Sequence, residues 1–254
     1  MDQEYKEKLS RNIEDKYSDL EMRIMEDIVR RIRQYGKITS TADWQINRLV
    51  VLGNSSEDIE NMLKETLDAS YPEMFELYDK VIDWEYVRNK DIYEQINAKF
   101  IPYEENEQLQ QLTDVLRRQT QEELENITRS LGFYLDYGNG NRVLTPLAQV
   151  YKGYLDNAVM DIASGAFDYN STLRRVVTQL TNSGLRTIDY ASGRSYRVNV
   201  AARMAVMTGI TQLSAKICEY NMEKLGCEYV EVSWHAGARP SHQTWQGKVY
   251  KWNK

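Results

Sequence analysis

The residues best suited to chemistry lie near the end of the sequence, in the stretch SWHAGARPSHQTWQGKVYKW at 233–252. This stretch contains both histidines of the chain, His235 and His242, and three of its five tryptophans. Imidazoles bind zinc, but a closed zinc site needs about four protein ligands and a catalytic site about three. Cys227 is the nearest third candidate and no CxxC pair accompanies the histidines, so His235 and His242 are metal candidates without a complete ligand set.

Other catalytic arrangements are incomplete as well. A nucleophile and a base would have to pair Ser233, Ser241 or Cys227 with a histidine, but the sequence has no nucleophile elbow around them. The segment YGNGNR at 137–142 lacks the third glycine and the strand–helix frame of a dinucleotide site. We therefore predict no catalytic residue, no cofactor and no enzymatic activity.

The tryptophan-containing stretch is better explained as a structural loop. Gly237 and Pro240 set the path of its backbone, and Arg239 offers donors to carbonyl or carboxylate oxygens. Trp234 and Trp245 provide large apolar faces that would close the loop, with the histidines as hydrogen-bonding groups. The alternation in CEYVEVSW before the loop and the segment GKVYKW after it predict a small hairpin.

The composition indicates a folded protein. Of the 254 residues, 42% are hydrophobic and 28% are charged, which argues against global disorder. No apolar run approaches the roughly 18 residues of a membrane span, and the opening MDQEYKEKLSRNIEDKY lacks the apolar core of a signal peptide. Cys218 and Cys227 suit reduced thiols better than a disulfide framework.

Charge is distributed unevenly along the chain. The net charge of −6 combines 18 basic and 29 acidic residues in 1–130 with 14 basic and 9 acidic residues in 131–254. Within 171–216, Asp189 is the only acidic residue beside seven basic ones: Arg174, Arg175, Arg186, Arg194, Arg197, Arg203 and Lys216. Such a segment suits an acidic partner surface or a nucleic-acid backbone, and equally a solvated helix face.

Apolar residues at intervals of three and four predict long amphipathic helices. The first is expected to stop at Gly36. It carries one narrow apolar stripe: Leu9, Ile13, Tyr17, Leu20, Ile24, Ile28, Ile32 and Tyr35. A stripe of this width suits packing within the core or a coiled-coil contact with another chain.

Capping and breaker residues divide the remaining sequence. Gly53 is expected to end a helix and Pro72 to begin one, while Thr145 and Pro146 cap and begin another. The aromatic residues of 71–86 are expected to fill the core or an interface. Helices are predicted over 40–53, 55–70, 71–87, 104–131, 145–165, 169–184 and 198–225, with a hairpin tip at 137–142 and a polar loop at 185–197. The fold class is therefore mainly α, with long amphipathic helices and a small C-terminal β hairpin that we expect to be truncated.

Two blocks, 183–217 and 230–250, resemble the phage minor capsid protein type 2 family, which is akin to the head morphogenesis proteins of Mu-type phages and prophages. They read SGLRTIDYASGRSYRVNVAARMAVMTGITQLSAKI and VEVSWHAGARPSHQTWQGKVY, occur in this order, and cover about a quarter of the chain. The family motif is present as His235, Gly237, Ala238, Arg239, Pro240, His242, Trp245, Gln246 and Gly247.

The resemblance implies a structural and assembly protein of a tailed-phage head, present in few copies and bound at the portal vertex. The implied partners are the portal protein, other capsid proteins and packaged DNA, with multiple copies around the portal. It also implies synthesis in the bacterial cytoplasm, location in the virion, and action in head morphogenesis or DNA packaging and ejection. We expect partner or DNA contacts from four arginines: Arg186, Arg194, Arg197 and Arg203.

Three stretches of different character are expected on this basis. Residues 1–185 form an α-helical region for portal or capsid interaction, 186–226 a basic loop and long helix, and 227–254 the start of a small β-containing unit. Members of the family usually continue with a further block containing cysteine and histidine. We therefore expect the last unit to be cut short.

Two alternative functions stay open at this point. One is a phage-borne effector or metal-dependent enzyme whose site uses His235 and His242 with residues beyond Lys254. The other is a DNA-binding module, which predicts steeply salt-dependent affinity for duplex DNA. A net charge of −6 argues against strong binding of DNA by the chain alone.

Overall fold

The protein is mainly α-helical, as predicted. The structure is a computed structural model that describes residues 3–35, 41–189, 193–234 and 236–252. The helices are α1 (Gln3–Tyr35), α2 (Thr41–Glu85), α3 (Lys90–Gln95), α4 (Glu107–Arg129), α5 (Leu147–Gln149), α6 (Leu155–Ala163), α7 (Tyr169–Ser183), α8 (Val198–Leu225) and α9 (Pro240–Gln243). The strands are β1 (Leu131–Asp136), β2 (Arg142–Pro146), β3 (Arg186–Asp189), β4 (Arg194–Arg197), β5 (Tyr229–Glu231) and β6 (Val249–Lys251).

Helix α1 buries its apolar stripe within the chain. Six residues of the predicted stripe are fully buried: Ile13, Tyr17, Leu20, Ile24, Ile28 and Ile32. The helix packs against α6 and α7, and an ion pair of 2.6 Å joins Arg23 Nη2 to Glu65 Oε2 on α2. The core-packing interpretation of the stripe is thus confirmed. Gly36 and the side chains of Leu9 and Tyr35 lie outside the described residues.

Residues 41–85 form one helix where three were predicted. Gly53 and Pro72 both lie inside α2, so the predicted end and start at these residues are wrong. Pro72 is exposed, and water can hydrogen-bond the carbonyl group that its missing N–H leaves unpaired. Packing holds the helix together across the proline, because its opposite face is buried through Ser70, Met74 and Tyr78.

The structure contains a four-stranded antiparallel sheet in the order β2-β1-β3-β4. Of this sheet, only the hairpin tip at 137–142 was predicted from the sequence. Strand β1 pairs with β2 from Gly132↔Pro146 to Asp136↔Arg142, which confirms the hairpin tip predicted at 137–142. The polar loop predicted at 185–197 is wrong, because β3 and β4 pair there from Arg186↔Arg197 to Asp189↔Arg194. Strand β3 also pairs with β1, a contact distant in sequence that local propensity does not reveal.

Two predicted helix boundaries are wrong because strands of the sheet occupy those residues. Helix α4 ends at Arg129, and Leu131 begins β1 instead of closing the helix. Thr145 and Pro146 end β2, so α5 starts at Leu147 and Thr145 is not its cap. A π-helical turn, Val150–Tyr154, then joins α5 to α6.

Two compact units make up the chain. The larger unit comprises Asp2–Leu77 and Leu116–Gly209, and contains the four-stranded sheet. The smaller unit comprises Tyr78–Val115 and Ile210–Lys254. The functional division into 1–185, 186–226 and 227–254 stays a prediction.

An aromatic cluster forms the core of the smaller unit. The ring of Tyr86 stacks on that of Phe100 with their centroids 5.0 Å apart. Asn106 Nδ2 donates to the hydroxyls of Tyr86 and Tyr220, over 3.0 and 2.9 Å. The core role predicted for Tyr86 is therefore confirmed.

The predicted C-terminal hairpin is present in the smaller unit. Strands β5 and β6 pair antiparallel from Tyr229↔Lys251 to Glu231↔Val249 and form a separate two-stranded sheet. Among the described helices, none combines the length and apolar character needed to cross a membrane.

Candidate functional site

Two parts of the chain carry most of the residues singled out in the sequence, and Arg203 lies outside them on α8. The first is the basic hairpin, defined as β3 and β4. The second is the tryptophan loop, defined as residues 232–248 between β5 and β6. The basic hairpin belongs to the larger unit and the tryptophan loop to the smaller one.

Arg186 supports the fold of the basic hairpin. Its Nε donates to the carbonyl of Ser183 over 3.0 Å, and its Nη1 donates to the carbonyl of Ser195 over 3.4 Å. The guanidinium also lies over the Tyr134 ring, 5.6 Å from its centroid. Arg186 therefore bridges the end of α7, strand β1 and strand β4.

Arg197 and Arg203 have ionic partners on helix α1. Arg197 Nη2 lies 3.9 Å from Glu21 Oε1, and Arg203 Nε lies 3.6 Å from Glu14 Oε2. The two glutamates are two turns apart, so they share a face of α1. Burial raises the pKa of Glu21, and the neighbouring charge of Arg197 opposes that rise. These two arginines thus contribute to attaching β4 and α8 to α1.

The absence of a side chain at Gly184 leaves room for the guanidinium of Arg197. Gly184 follows α7 with a φ of 64°, and a Cβ at this position would lie 2.6 Å from Arg197 Nε. Only glycine combines this backbone conformation with such a close approach at low cost. The guanidinium of Arg197 therefore lies at the end of α7, in the volume that a side chain at position 184 would occupy.

Arg194 completes the predicted set. It is exposed and lies opposite Asp189 in the register of the hairpin. The structure therefore places Arg186, Arg194 and Arg197 on one hairpin, and Arg203 in the second turn of α8. Contact of these four arginines with a partner or with DNA stays a prediction.

Backbone hydrogen bonds shape the tryptophan loop. Val232 N donates to Lys248 O over 3.0 Å and Gly247 N donates to Val232 O over 2.7 Å, which extends the pairing of β5 and β6 into the loop. The carbonyl of Arg239 accepts from His242 N over 2.7 Å at the start of α9. Pro240 occupies the first turn of this short helix, and Gly247 has a φ of 64°.

The tryptophans are more exposed than expected. Trp234 is 69% exposed and does not close the loop, contrary to the prediction. Trp245 contacts the loop instead: its Nε1 donates to Ser241 O over 3.1 Å, and its ring centroid lies 5.1 Å from that of His242. Trp252, just after the last strand, is 41% exposed. The loop consequently presents aromatic surface to solvent.

A metal site at the histidines is not tested by this arrangement. His235 lies outside the described residues, and no group of three or more metal-binding side chains occurs in the parts of the chain that the structure describes. His235 and His242 therefore stay predicted candidates. Cys218 and Cys227 are free thiols, and burial raises the pKa of Cys218.

A buried ion pair in the larger unit lies outside the sequence predictions. Asp27 and Arg31 are 5% and 4% exposed, and Arg31 Nε donates to Asp27 Oδ2 over 2.6 Å. The Tyr151 hydroxyl, on the π-helical turn, donates to the same oxygen over 2.9 Å. Arg31 Nη2 also reaches Asp58 Oδ2 on α2 at 2.9 Å. The pair therefore connects α1 with α2 and the π-helical turn.

The charge state of Asp27 follows from these contacts. Burial works to raise its pKa, but hydrogen bonds from Arg31, Arg30 and Tyr151 outweigh burial and hold the pKa below its usual range. Burial and the adjacent Asp27 raise the pKa of Tyr151. The spacing of Asp27 and Arg31, four residues apart on a helix, was the available sequence signal.

Comparison with known proteins identifies the family. The family described as Phage minor capsid protein 2 matches residues 1–253. The chain belongs to the phage minor capsid protein 2 family. The match covers the N-terminal helices as well as the two blocks quoted above. No curated protein and no solved structure matches the chain.

Family membership gives the chain a structural role in the phage head. It also places the protein in the virion and associates it with other capsid components. A structural family favours a non-enzymatic role.

Proposed function

We propose that this chain binds the portal vertex of a tailed-phage head as a low-copy component and acts in head morphogenesis or in DNA packaging and ejection. The helical region of 1–185 provides the main contact. The basic hairpin adds electrostatic attraction to an acidic portal surface. Multiple copies surround the portal.

The observation that carries this proposal is the family match over residues 1–253. It supplies the role in the head, and the position at the portal rests on the resemblance of 183–217 and 230–250 to proteins associated with the portal vertex. A whole-chain match supports a role for the long helices as well as for the motif.

The charge distribution supports the contribution of the basic hairpin. Residues 131–254 carry five more basic than acidic residues, from 14 and 9, in a chain whose net charge is −6. Arg194 and Arg197 are both exposed on β4, and Arg197 also has an ionic partner in Glu21. Exposed basic groups increase the rate of association with acidic surfaces and make binding sensitive to salt.

Binding to purified portal protein of the same phage tests the proposal. We expect the full chain to bind the portal, and the double variant R194E/R197E to bind more slowly and with a weaker dependence on salt. R142E is the matched control, since Arg142 is exposed on β2 at the opposite edge of the same sheet. Addition of duplex DNA as a competitor separates portal contact from DNA contact.

Each outcome has a distinct meaning. Absence of binding by the unmodified chain would contradict the portal assignment. Binding with unchanged rate and salt dependence in R194E/R197E would remove the basic hairpin from the contact. Displacement of the chain by DNA at low salt would assign the hairpin to DNA instead.

A further inference from the structure

A groove between helices α1 and α7 has an apolar floor. Its volume is about 570 Å³, and it is lined in part by Met22, Met25, Val29 and Val177. Met22 is 53% exposed and Val177 is 38% exposed, so the floor is open to solvent. Unbranched methionine side chains adapt their shape to an apolar partner, as they do in protein surfaces that bind amphipathic helices.

One end of this groove is basic. Arg30 and Arg33 line it from α1. Leu185, just after α7, donates a backbone hydrogen bond to Glu21, whereas Val177, earlier on α7, lines the groove together with Val29, Arg30 and Arg33. Helix α7 therefore runs antiparallel to α1, and its N-terminal half lies towards Arg30 and Arg33. Arg174 lies one turn before Val177 on the same face of α7 and is exposed.

The acidic residues near the groove do not cancel this charge. Glu26 is the acidic residue among the lining side chains. Arg30 contacts Asp27, but the Arg30 side chain remains 63% exposed. Asp168, the cap of α7, lies near Arg174, whose charge contributes to lowering the pKa of that carboxyl. Arg30 and Arg33 line the groove beside a single acidic lining residue, so this end of the apolar floor is basic in a chain that is acidic as a whole.

We propose that this groove is the docking site for an acidic amphipathic helix of another protein. The apolar face of that helix lies on Met22, Met25, Val29 and Val177. Its carboxylates, or the carbonyl groups at its C-terminus, face Arg30, Arg33 and Arg174. A helix that lies along this floor buries apolar area against α1 and α7. The charges at one end of the groove fix the direction of the docked helix. The site does not depend on portal binding.

A pair of designed peptides tests this docking site on the full chain. The acidic probe is a fluorescein-labelled helix of about 18 residues with leucines at i, i+3, i+4 and i+7 and glutamates beside them. The basic probe has lysine in place of each glutamate. We expect the acidic probe to bind at least about tenfold more tightly than the basic one in fluorescence anisotropy.

Variants of the chain locate the binding. M22E/V177E should weaken binding of the acidic probe by about tenfold or more, because the two glutamates place charge on the apolar floor. The matched control is M160E, since Met160 is 55% exposed on α6 outside the groove. R33E/R174E should reverse the preference in favour of the basic probe, a gain that a misfolded variant does not produce. The thermal midpoint of each variant checks its folding.

Two results would overturn the proposal. The first is equal binding of both probes, or binding unaffected by M22E/V177E. The second is self-association of the chain in sedimentation that M22E/V177E abolishes and M160E does not, since the occupant would then be a second copy. Because no portal protein is used, failure here leaves the proposed function untouched.

Discussion

The basic hairpin and the hairpin of β5 and β6 carry most of the residues that the sequence singled out, but they are built differently. The basic hairpin is paired with β1 in a four-stranded sheet, and its arginines contact α1, β1 and the end of α7. The hairpin formed by β5 and β6 is a separate two-stranded sheet. Its loop leaves Trp234 largely exposed.

This difference shows that the type of a residue does not predict whether its side chain is available for contact with a partner. A dense run of arginines predicted a contact surface, yet Arg186, Arg197 and Arg203 contribute to internal structure. Tryptophans predicted to close a loop are instead partly open to solvent. Aromatic rings exposed in this way are typical of protein contact surfaces. The tryptophan loop therefore presents an aromatic surface, while the basic segment contributes both structure and charge.

The largest expected effect contrasts a core residue of the sheet that contains the basic hairpin with an exposed residue of the tryptophan loop. Phe133 on β1 is fully buried, so F133A should lower the free energy of unfolding by about 3–5 kcal/mol. W234A should change it by less than about 0.5 kcal/mol, because that side chain is mostly exposed. Urea titration followed by circular dichroism measures both. A large loss of stability in W234A would mean that the tryptophan loop is packed.

The buried ion pair predicts a pH dependence for the larger unit. Because the pKa of folded Asp27 is depressed, its stabilisation is present above the unfolded pKa of about 3.9 and is lost as pH falls through the folded value. D27N should therefore cost about 3 kcal/mol at pH 7, and the difference from the unmodified chain should shrink below about pH 4.

The matched control for this pair is D161N. Asp161 pairs with Arg175 at 2.5 Å but its side chain is 31% exposed, so the variant should lose at most about 1 kcal/mol. Urea titrations at a series of pH values give the comparison. A cost in D27N that stays constant down to about pH 2.5 would contradict the assignment of charge to Asp27.

Two glycine-to-alanine substitutions, which should have smaller effects on stability, compare the same two regions. G184A should destabilise the chain by at least about 1 kcal/mol, because its φ is positive and its Cβ would displace Arg197. G237A in the tryptophan loop should be neutral within about 0.5 kcal/mol, since a Cβ there meets no atom within 4 Å. Thermal midpoints measured in parallel test this pair. Equal losses would show that the two hairpins are equally constrained.

The smallest effect concerns the ion pair between Glu14 and Arg203. A double-mutant cycle with E14Q and R203Q should give a coupling free energy of at most about 1 kcal/mol, because both side chains are roughly one-third exposed. High salt should reduce it further. Coupling well above this value would make Arg203 a major attachment of α8, and a poorer candidate for partner contact.

Local sequence signals predicted the parts of the fold that depend on local structure. Helix α8 was expected over 198–225 and spans Val198–Leu225, and α7 ends just before Gly184, as that glycine indicates. The stripe of α1 and the hairpin of β5 and β6 follow from periodicity in the same way.

Contacts between residues distant in sequence could not be predicted. The pairing of β3 with β1 joins residues more than fifty positions apart, and Asp27 meets Tyr151 across 124 positions. The continuity of α2 through Pro72 depends on its buried face, which the sequence of the helix alone does not reveal. For the same reason the partners of Arg197 and Arg203 on α1 escaped prediction, although Glu14 and Glu21 are spaced to share a face.

Quantitative mass spectrometry of purified phage particles from the source strain, combined with mild disruption of the heads, tests the position at the portal vertex most directly. We predict a low copy number of this chain per particle and its cofractionation with the portal protein. Absence from particles, or cofractionation with the shell and not with the portal, would contradict it.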